Sequence, residues 1–122
     1  MRSIIQPGNI LIIDDNESLL EVLEIALGRD QHKVFTANLP SKGLAILENE
    51  NIDIVLQDIR MPEMDGVQLL TKIKEKKPNQ IVFLMTAEST WDVAVNAMRK
   101  GAFGYFEKKS PFDTGELRNK IN

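Results

Sequence analysis

Apolar residues run along the chain in two rhythms, and the alternation between them predicts its architecture. Ile10-Leu11-Ile12-Ile13, Ile54-Val55-Leu56 and Ile81-Val82-Phe83-Leu84-Met85 are unbroken runs, as parallel strands buried on both faces require. Lys33-Val34-Phe35-Thr36-Ala37 is short and mixed, as at a sheet edge, and Phe103 to Lys108 supplies a last strand. Between these runs the spacing turns helical. Leu19, Val22, Leu23 and Ala26 mark the first helix and Leu44, Ala45 and Leu47 the second. Leu69, Leu70 and Ile73 mark the third, and Val93, Ala94, Ala97 and Met98 the fourth.

The punctuation agrees with this division. Asn16 or Ser18 caps the first helix, with Glu21 closing a capping box and Gly28 as the stop; Pro40 opens the second and Asp65 caps the third. Ser89 or Thr90 opens the fourth helix and Gly101 ends it. A further helix is expected near the end, with Asp113 and Glu116 as its capping box, Phe112 stapled onto Leu117, and Ile121 on its apolar face. So few apolar anchors hold a helix poorly, and the chain is expected to be a single domain, 1–122, excised from a longer protein.

Strands alternating with helices through short loops imply right-handed crossovers and a parallel sheet covered on both faces. Such a sheet brings the C-terminal ends of its strands to one edge, where open α/β folds place their chemistry. The residues falling there are Asp14 and Asp15 after the first strand, Asp58 after the third, Thr86 after the fourth and Lys108 after the fifth. Pro62 breaks the chain just past Asp58, so that carboxylate stands at the mouth of a central strand.

Composition narrows the chemistry. A chain of 122 residues has room for one domain with a real core, and a net charge of -3 without a basic block argues against direct nucleic-acid binding. With no cysteine there is no disulfide framework, thiolate nucleophile or thiolate zinc site. There is no apolar run of spanning length and the start is too short for a signal peptide, so a cytoplasmic location is expected, with no membrane partner.

Carboxylates crowded in one crevice repel, by about 4 kcal/mol for a pair about 4 Å apart at an effective dielectric near ~20. A cation must therefore sit among them. Asp15, Asp58 and a backbone carbonyl form a hard-oxygen set suited to Mg²⁺, and no His or Cys nearby favours zinc. Asp58 is then placed to act as nucleophile on a phosphoryl group, with the metal, the Thr86 hydroxyl and the Lys108 ammonium neutralising the transferred oxygens and the small Ala87 leaving room.

Ile13-Asp14-Asp15, Asp58 followed by Met61-Pro62 and Asp65-Gly66, Thr86-Ala87, and Gly101-Ala102 with Tyr105 and Lys108 together resemble the receiver domain of two-component response regulators, over nearly the whole chain. The resemblance implies a flavodoxin-like, doubly wound five-stranded parallel sheet of order 2-1-3-4-5. It implies a regulatory phosphoacceptor rather than an enzyme acting on a separate substrate, with Asp58 taking phosphate from a histidine kinase or phosphotransfer protein. It further implies Mg²⁺ bound directly by Asp15, Asp58 and the Arg60 backbone carbonyl and through water by Asp14, with Thr86 and Tyr105 as the switch. The same likeness implies a homodimer through helix 4, strand 5 and helix 5, and an attached C-terminal output domain acting in transcription.

One stretch departs from the family pattern: Lys109 and Ser110 intervene between Lys108 and Pro111-Phe112. Lys108 is expected to serve the site, because it keeps the family spacing from Gly101 and strand alternation sets it on the side of Phe106 and opposite Tyr105. That departure also keeps open a receiver-like interaction module that is never phosphorylated. A flavodoxin-type electron carrier would need a neutral phosphate-cradling loop where Asp14-Asp15-Asn16-Glu17 stands, and an aspartate phosphatase would need an acid where Arg60 stands. Arg60 and Glu88 are expected to lie across the entrance as an ion pair that slows hydrolysis of the phosphoryl group, so Arg60→Ala should shorten its lifetime. Trp91 reads as a packing residue and His32 as solvated.

Overall fold

The computed structural model describes residues 7–86 and 91–108 together with Gly115, Asn119 and Ile121. In chain order the elements are β1 (Asn9–Ile13), α1 (Glu17–Gly28), β2 (Lys33–Ala37), α2 (Pro40–Asn49), β3 (Ile54–Asp58), α3 (Gly66–Lys76), β4 (Ile81–Thr86), α4 (Trp91–Arg99) and β5 (Gly104–Glu107). The strands form a single parallel sheet of order β2-β1-β3-β4-β5, so the chain reverses its direction of travel across the sheet after β2, between β1 and β3. That reversal opens a crevice at the C-terminal edge beside Asp14 and Asp58.

Strand alternation divides the core into two layers. Ile10, Ile12, Leu56, Phe83 and Met85 point to one face and pack with Leu20, Leu23 and Leu27 of α1 and with Ile121. Leu11, Ile13, Val55, Val82 and Leu84 point to the other and pack with Leu47 of α2, Leu69, Leu70 and Ile73 of α3 and Ala97 of α4. The three apolar strands β1, β3 and β4 are therefore covered on both sides, which is why they lack polar alternation, while β2 at the edge retains it.

The helical faces differ in places from the sequence expectation. In α1 the buried residues are Leu20, Leu23, Ala26 and Leu27, whereas Val22 is 45% exposed. The helix starts from Asn16, whose side chain accepts from the Leu19 N–H, and with that register Glu21 is too far along to complete a capping box. In α2 Ala45 is exposed, and Pro40, Gly43 and Leu47 face inward. Met98 of α4 is also exposed. Apolar residues exceed what one face can bury, so several positions at helical spacing remain outside. His32 corrects another expectation: it is buried, and its Nδ1 accepts the Gly8 N–H at 3.1 Å. The α3 start does follow the sequence, with Asp65 and Gln68 forming a reciprocal capping box. Gly101 ends α4 at φ +111°, a left-handed geometry that favours glycine. The expected start of the fourth helix at Ser89 or Thr90, the capping box of Asp113 and Glu116, the Phe112 staple onto Leu117 and the Lys109-Ser110 stretch lie outside the described residues, as does the side chain of Trp91.

Candidate functional site

β1, β3 and β5 deliver their last residues to one point on the sheet edge. Asp14 follows Ile13 directly, and its backbone N–H is held by the Ala37 carbonyl at 3.1 Å, extending the β1 ladder by one residue. Asp58 ends β3 opposite Met85, and Lys108 follows β5 with its N–H bonded to the Thr86 carbonyl at 2.6 Å. By strand alternation Asp14, Asp58 and Lys108 lean to the α1 side of the sheet, while Thr86 and Tyr105 share the opposite side with Leu84. The acidic and basic groups thus meet, and the hydroxyl and phenol stand behind them.

The contacts are short. Lys108 Nζ lies 2.9 Å from Asp14 Oδ2 and 3.3 Å from Asp58 Oδ2, a single ammonium between two buried carboxylates. The other oxygens are taken by local N–H groups: Asn16 donates to Asp14 Oδ1 and Ile59 to Asp58 Oδ1, both at 2.9 Å. Asp14 Oδ2 has no other partner than the Lys108 ammonium among the described residues. Asp15 is exposed, yet it places a carboxylate oxygen in the same cluster, where ligand atoms of Asp14, Asp15 and Asp58 all fall within 4.8 Å of one another.

Electrostatics follow from burial and crowding. Desolvation pushes the Asp58 carboxyl above the usual carboxylate range and the Asp14 charge adds to this, while Lys108 and the Ile59 N–H pull it back only in part. For Lys108 burial is the largest single influence and disfavours the ammonium, but Asp14 and Asp58 together outweigh it and leave its pKa raised. The site therefore holds more negative charge than one lysine relieves. Three hard carboxylates without a His or Cys among them match the donor set of Mg²⁺ rather than zinc.

Thr86 is buried, and its hydroxyl has no hydrogen-bond partner among the described residues. A buried hydroxyl left unpaired costs about 1–3 kcal/mol. Tyr105 is half-buried and packs against the core layer that contains Leu84. Arg60 is exposed; its expected partner Glu88, and Ala87, lie outside the described residues.

Two residues that sequence reasoning passed over also bear on the site. Gln57, next to Asp58, is fully buried and its amide donates to the Gly66 carbonyl at 2.7 Å, while Glu63 reaches the start of α2. The signal for Gln57 was present in the sequence, as a lone amide inside the apolar run that ends at Ile59. Glu63 carried none, because its partner Ser41 is distant in sequence.

This fold, closing on an acidic cluster bridged by a lysine, defines a receiver-like signalling domain. The chain belongs to the response regulator receiver domain family, whose model matches residues 10–122. It is 44% identical to the DNA-binding transcriptional regulator NtrC of Proteus hauseri over 111 residues, covering 91% of this chain and 23% of that protein. The chain thus spans about a quarter of the length of that relative. Among solved structures, a response regulator receiver domain from Clostridium thermocellum superposes with a TM-score of 0.88 at 34% identity, covering 94% of this chain and 91% of that one. The beryllofluoride-activated NtrC4 receiver domain dimer gives 0.85 at 28% identity, covering 93% and 92%.

Proposed function

We propose that this domain accepts a phosphoryl group on Asp58 from a histidine kinase or phosphotransfer protein and thereby controls an attached output domain that regulates transcription. The observation that carries the reading is the acidic cluster itself: oxygens of Asp14, Asp15 and Asp58 within 4.8 Å, with Lys108 between two of them. An Asp58 oxygen forms a bond to phosphorus as the bond from phosphorus to the donor's imidazole nitrogen breaks, leaving an acyl phosphate and a free imidazole. Asp14, Asp15, Asp58 and the Arg60 backbone carbonyl would hold Mg²⁺, which supplies charge neutralisation for the phosphoryl oxygens. Lys108, already drawn to the Asp58 carboxylate, is positioned to pair with one of those oxygens.

Thr86 gives the reading its output. Its buried hydroxyl, unpartnered among the described residues, gains an acceptor when a phosphoryl group arrives, and that gain stabilises one arrangement of Thr86 and Tyr105 over another. The change is read on the face of α4 and β5 and the helix that follows. That the domain dimerises is supported by the dimer of the similar NtrC4 receiver, and a transcriptional output by the DNA-binding regulator to which the chain is similar. Among the described residues no helix is long and apolar enough to cross a membrane.

Incubation with Mg²⁺ and acetyl phosphate, followed by intact mass, tests the assignment. One phosphoryl adduct is expected on the wild-type chain and none on Asp58→Asn. Full modification of that variant at another residue would sink it.

A further inference from the structure

The loop from Ile59 to Asp65, between β3 and α3, carries the Arg60 carbonyl and is fastened at both ends by side chains outside the acidic cluster. At its base the Gly66 N–H donates to the Ile59 carbonyl at 2.6 Å, and the Gln57 amide donates to the Gly66 carbonyl at 2.7 Å. Gln57 does this from a fully buried position while its own Oε1 has no partner among the described residues. An apolar residue would fill that space without leaving an orphaned acceptor, so the amide is retained at some expense to stability.

At its tip the loop is tied to α2. That helix opens with Leu39 at its cap, which offers no side-chain acceptor, and Pro40, which has no N–H. The Ser41 N–H is thus the first donor at the helix start, and Glu63 takes it with Oε1 at 2.9 Å while Oε2 accepts from the Ser41 hydroxyl at 3.0 Å. An anion from across the fold caps the positive end of α2. Glu63 makes this contact at φ +73°, a left-handed conformation that is uncommon for a residue with a β-carbon. The two hydrogen bonds to Ser41 offset part of the cost of that conformation.

We propose that Gln57 and Glu63 are positioning residues, fixing the loop at base and tip so that the Arg60 carbonyl faces the acidic cluster. The inference rests on the phosphoacceptor reading above, since it assigns that carbonyl to Mg²⁺. Preorganisation of this kind governs how tightly the metal is held more than how stable the fold is.

The test compares wild type with Glu63→Ala, Glu63→Gln, Ser41→Ala and Gln57→Met. Mg²⁺ affinity is measured by calorimetry, thermal midpoint without metal, and phosphorylation by acetyl phosphate as maximal rate at saturating Mg²⁺. Glu63→Ala and Gln57→Met are expected to weaken Mg²⁺ binding about 10-fold, the low end of what removal of groups that orient metal ligands costs. Glu63→Gln keeps the side-chain length and one acceptor for the Ser41 N–H but loses the charge, so it should recover part of the affinity lost in Glu63→Ala, and Ser41→Ala should fall between wild type and Glu63→Ala. Thermal midpoints should not follow the affinities, and Gln57→Met should melt no lower than wild type. Mg²⁺ affinities for Glu63→Ala and Gln57→Met equal to wild type would overturn the proposal, as would losses that track the thermal midpoint or fail to recover in Glu63→Gln. If the wild-type chain binds Mg²⁺ but takes no phosphoryl group, the phosphoacceptor reading fails while the affinity comparison still decides the positioning role. A wild-type chain that binds no Mg²⁺ overturns both.

Discussion

Asp58 is buried beside Asp14, and the raised pKa that results has a consequence for stability. Between its unfolded value near ~4 and its higher folded value, the folded state binds more protons than the unfolded one, so the contribution is full below that window and is lost as pH rises through it. Above that window, without metal, Asp58 therefore no longer contributes this stability. Asp58→Asn is expected to raise stability at pH 7 by on the order of 1 kcal/mol and to flatten the pH dependence, measured as urea midpoints in chelator from pH 4 to 8. Lys108 acts in the opposite sense. Its removal leaves two buried carboxylates facing each other, and breaking a fully buried pair costs about 3–5 kcal/mol. With the Lys108 side chain 23% exposed, about 2 kcal/mol is the expected loss for Lys108→Ala, recovered in part by Mg²⁺. Lys109→Ala should change neither stability nor phosphorylation by as much; a larger effect from Lys109 would mean the wrong lysine is assigned.

Among the elements, the start of α3 bears most directly on the site. Gly66 follows the Asp65 cap, and a β-carbon there would stand 2.6 Å from Ile59 Cα and 2.7 Å from the Asp58 carbonyl oxygen, against backbone that cannot yield cheaply. The close approach brings the end of β3 and the start of α3 together, which sets where Asp58 stands. Gly66→Ala is expected to lose about 2–3 kcal/mol and most phosphorylation, because relief of the clash moves the strand end. Asp65→Ala removes only a cap, so it should cost about 1 kcal/mol and leave phosphorylation largely intact. Denaturant midpoints and acetyl phosphate labelling on the same pair separate a packing effect from a capping effect. If both variants lose phosphorylation equally, the close approach is not what positions Asp58.

Across the whole molecule, the metal and phosphoryl chemistry proposed for one edge must reach the far side of the sheet. The acidic cluster proposed to hold Mg²⁺ is assembled only in the folded state, so Mg²⁺ at about 100 times its dissociation constant is expected to stabilise the domain by about 2.7 kcal/mol. Thr86 and Tyr105 stand on the side of the sheet opposite Lys108, toward α4. A phosphoryl mimic such as beryllofluoride is expected to slow amide exchange in α4 and β5 more than in α1 and β2. Identical exchange on both faces, with the mimic bound, would exclude the proposed route.

The sequence by itself determined the order of elements, the parallel sheet and the acids at its edge, since continuous apolar runs, caps and strand-terminal Asp14, Asp58 and Lys108 are local signals. Resemblance to receivers supplied the strand order. Tertiary structure alone decided which apolar positions are inside. Val22 and Met98 keep helical spacing but lie outside, because burial depends on the orientation of the whole helix against the sheet. It also decided that His32 is enclosed, that Gln57 turns its amide to Gly66, and that Glu63 caps a helix whose own cap position holds leucine. These contacts join segments remote in sequence or buried together, so no local pattern of residue types encodes them, and they form only once the sheet has brought β3 and its loop against α2 and α3.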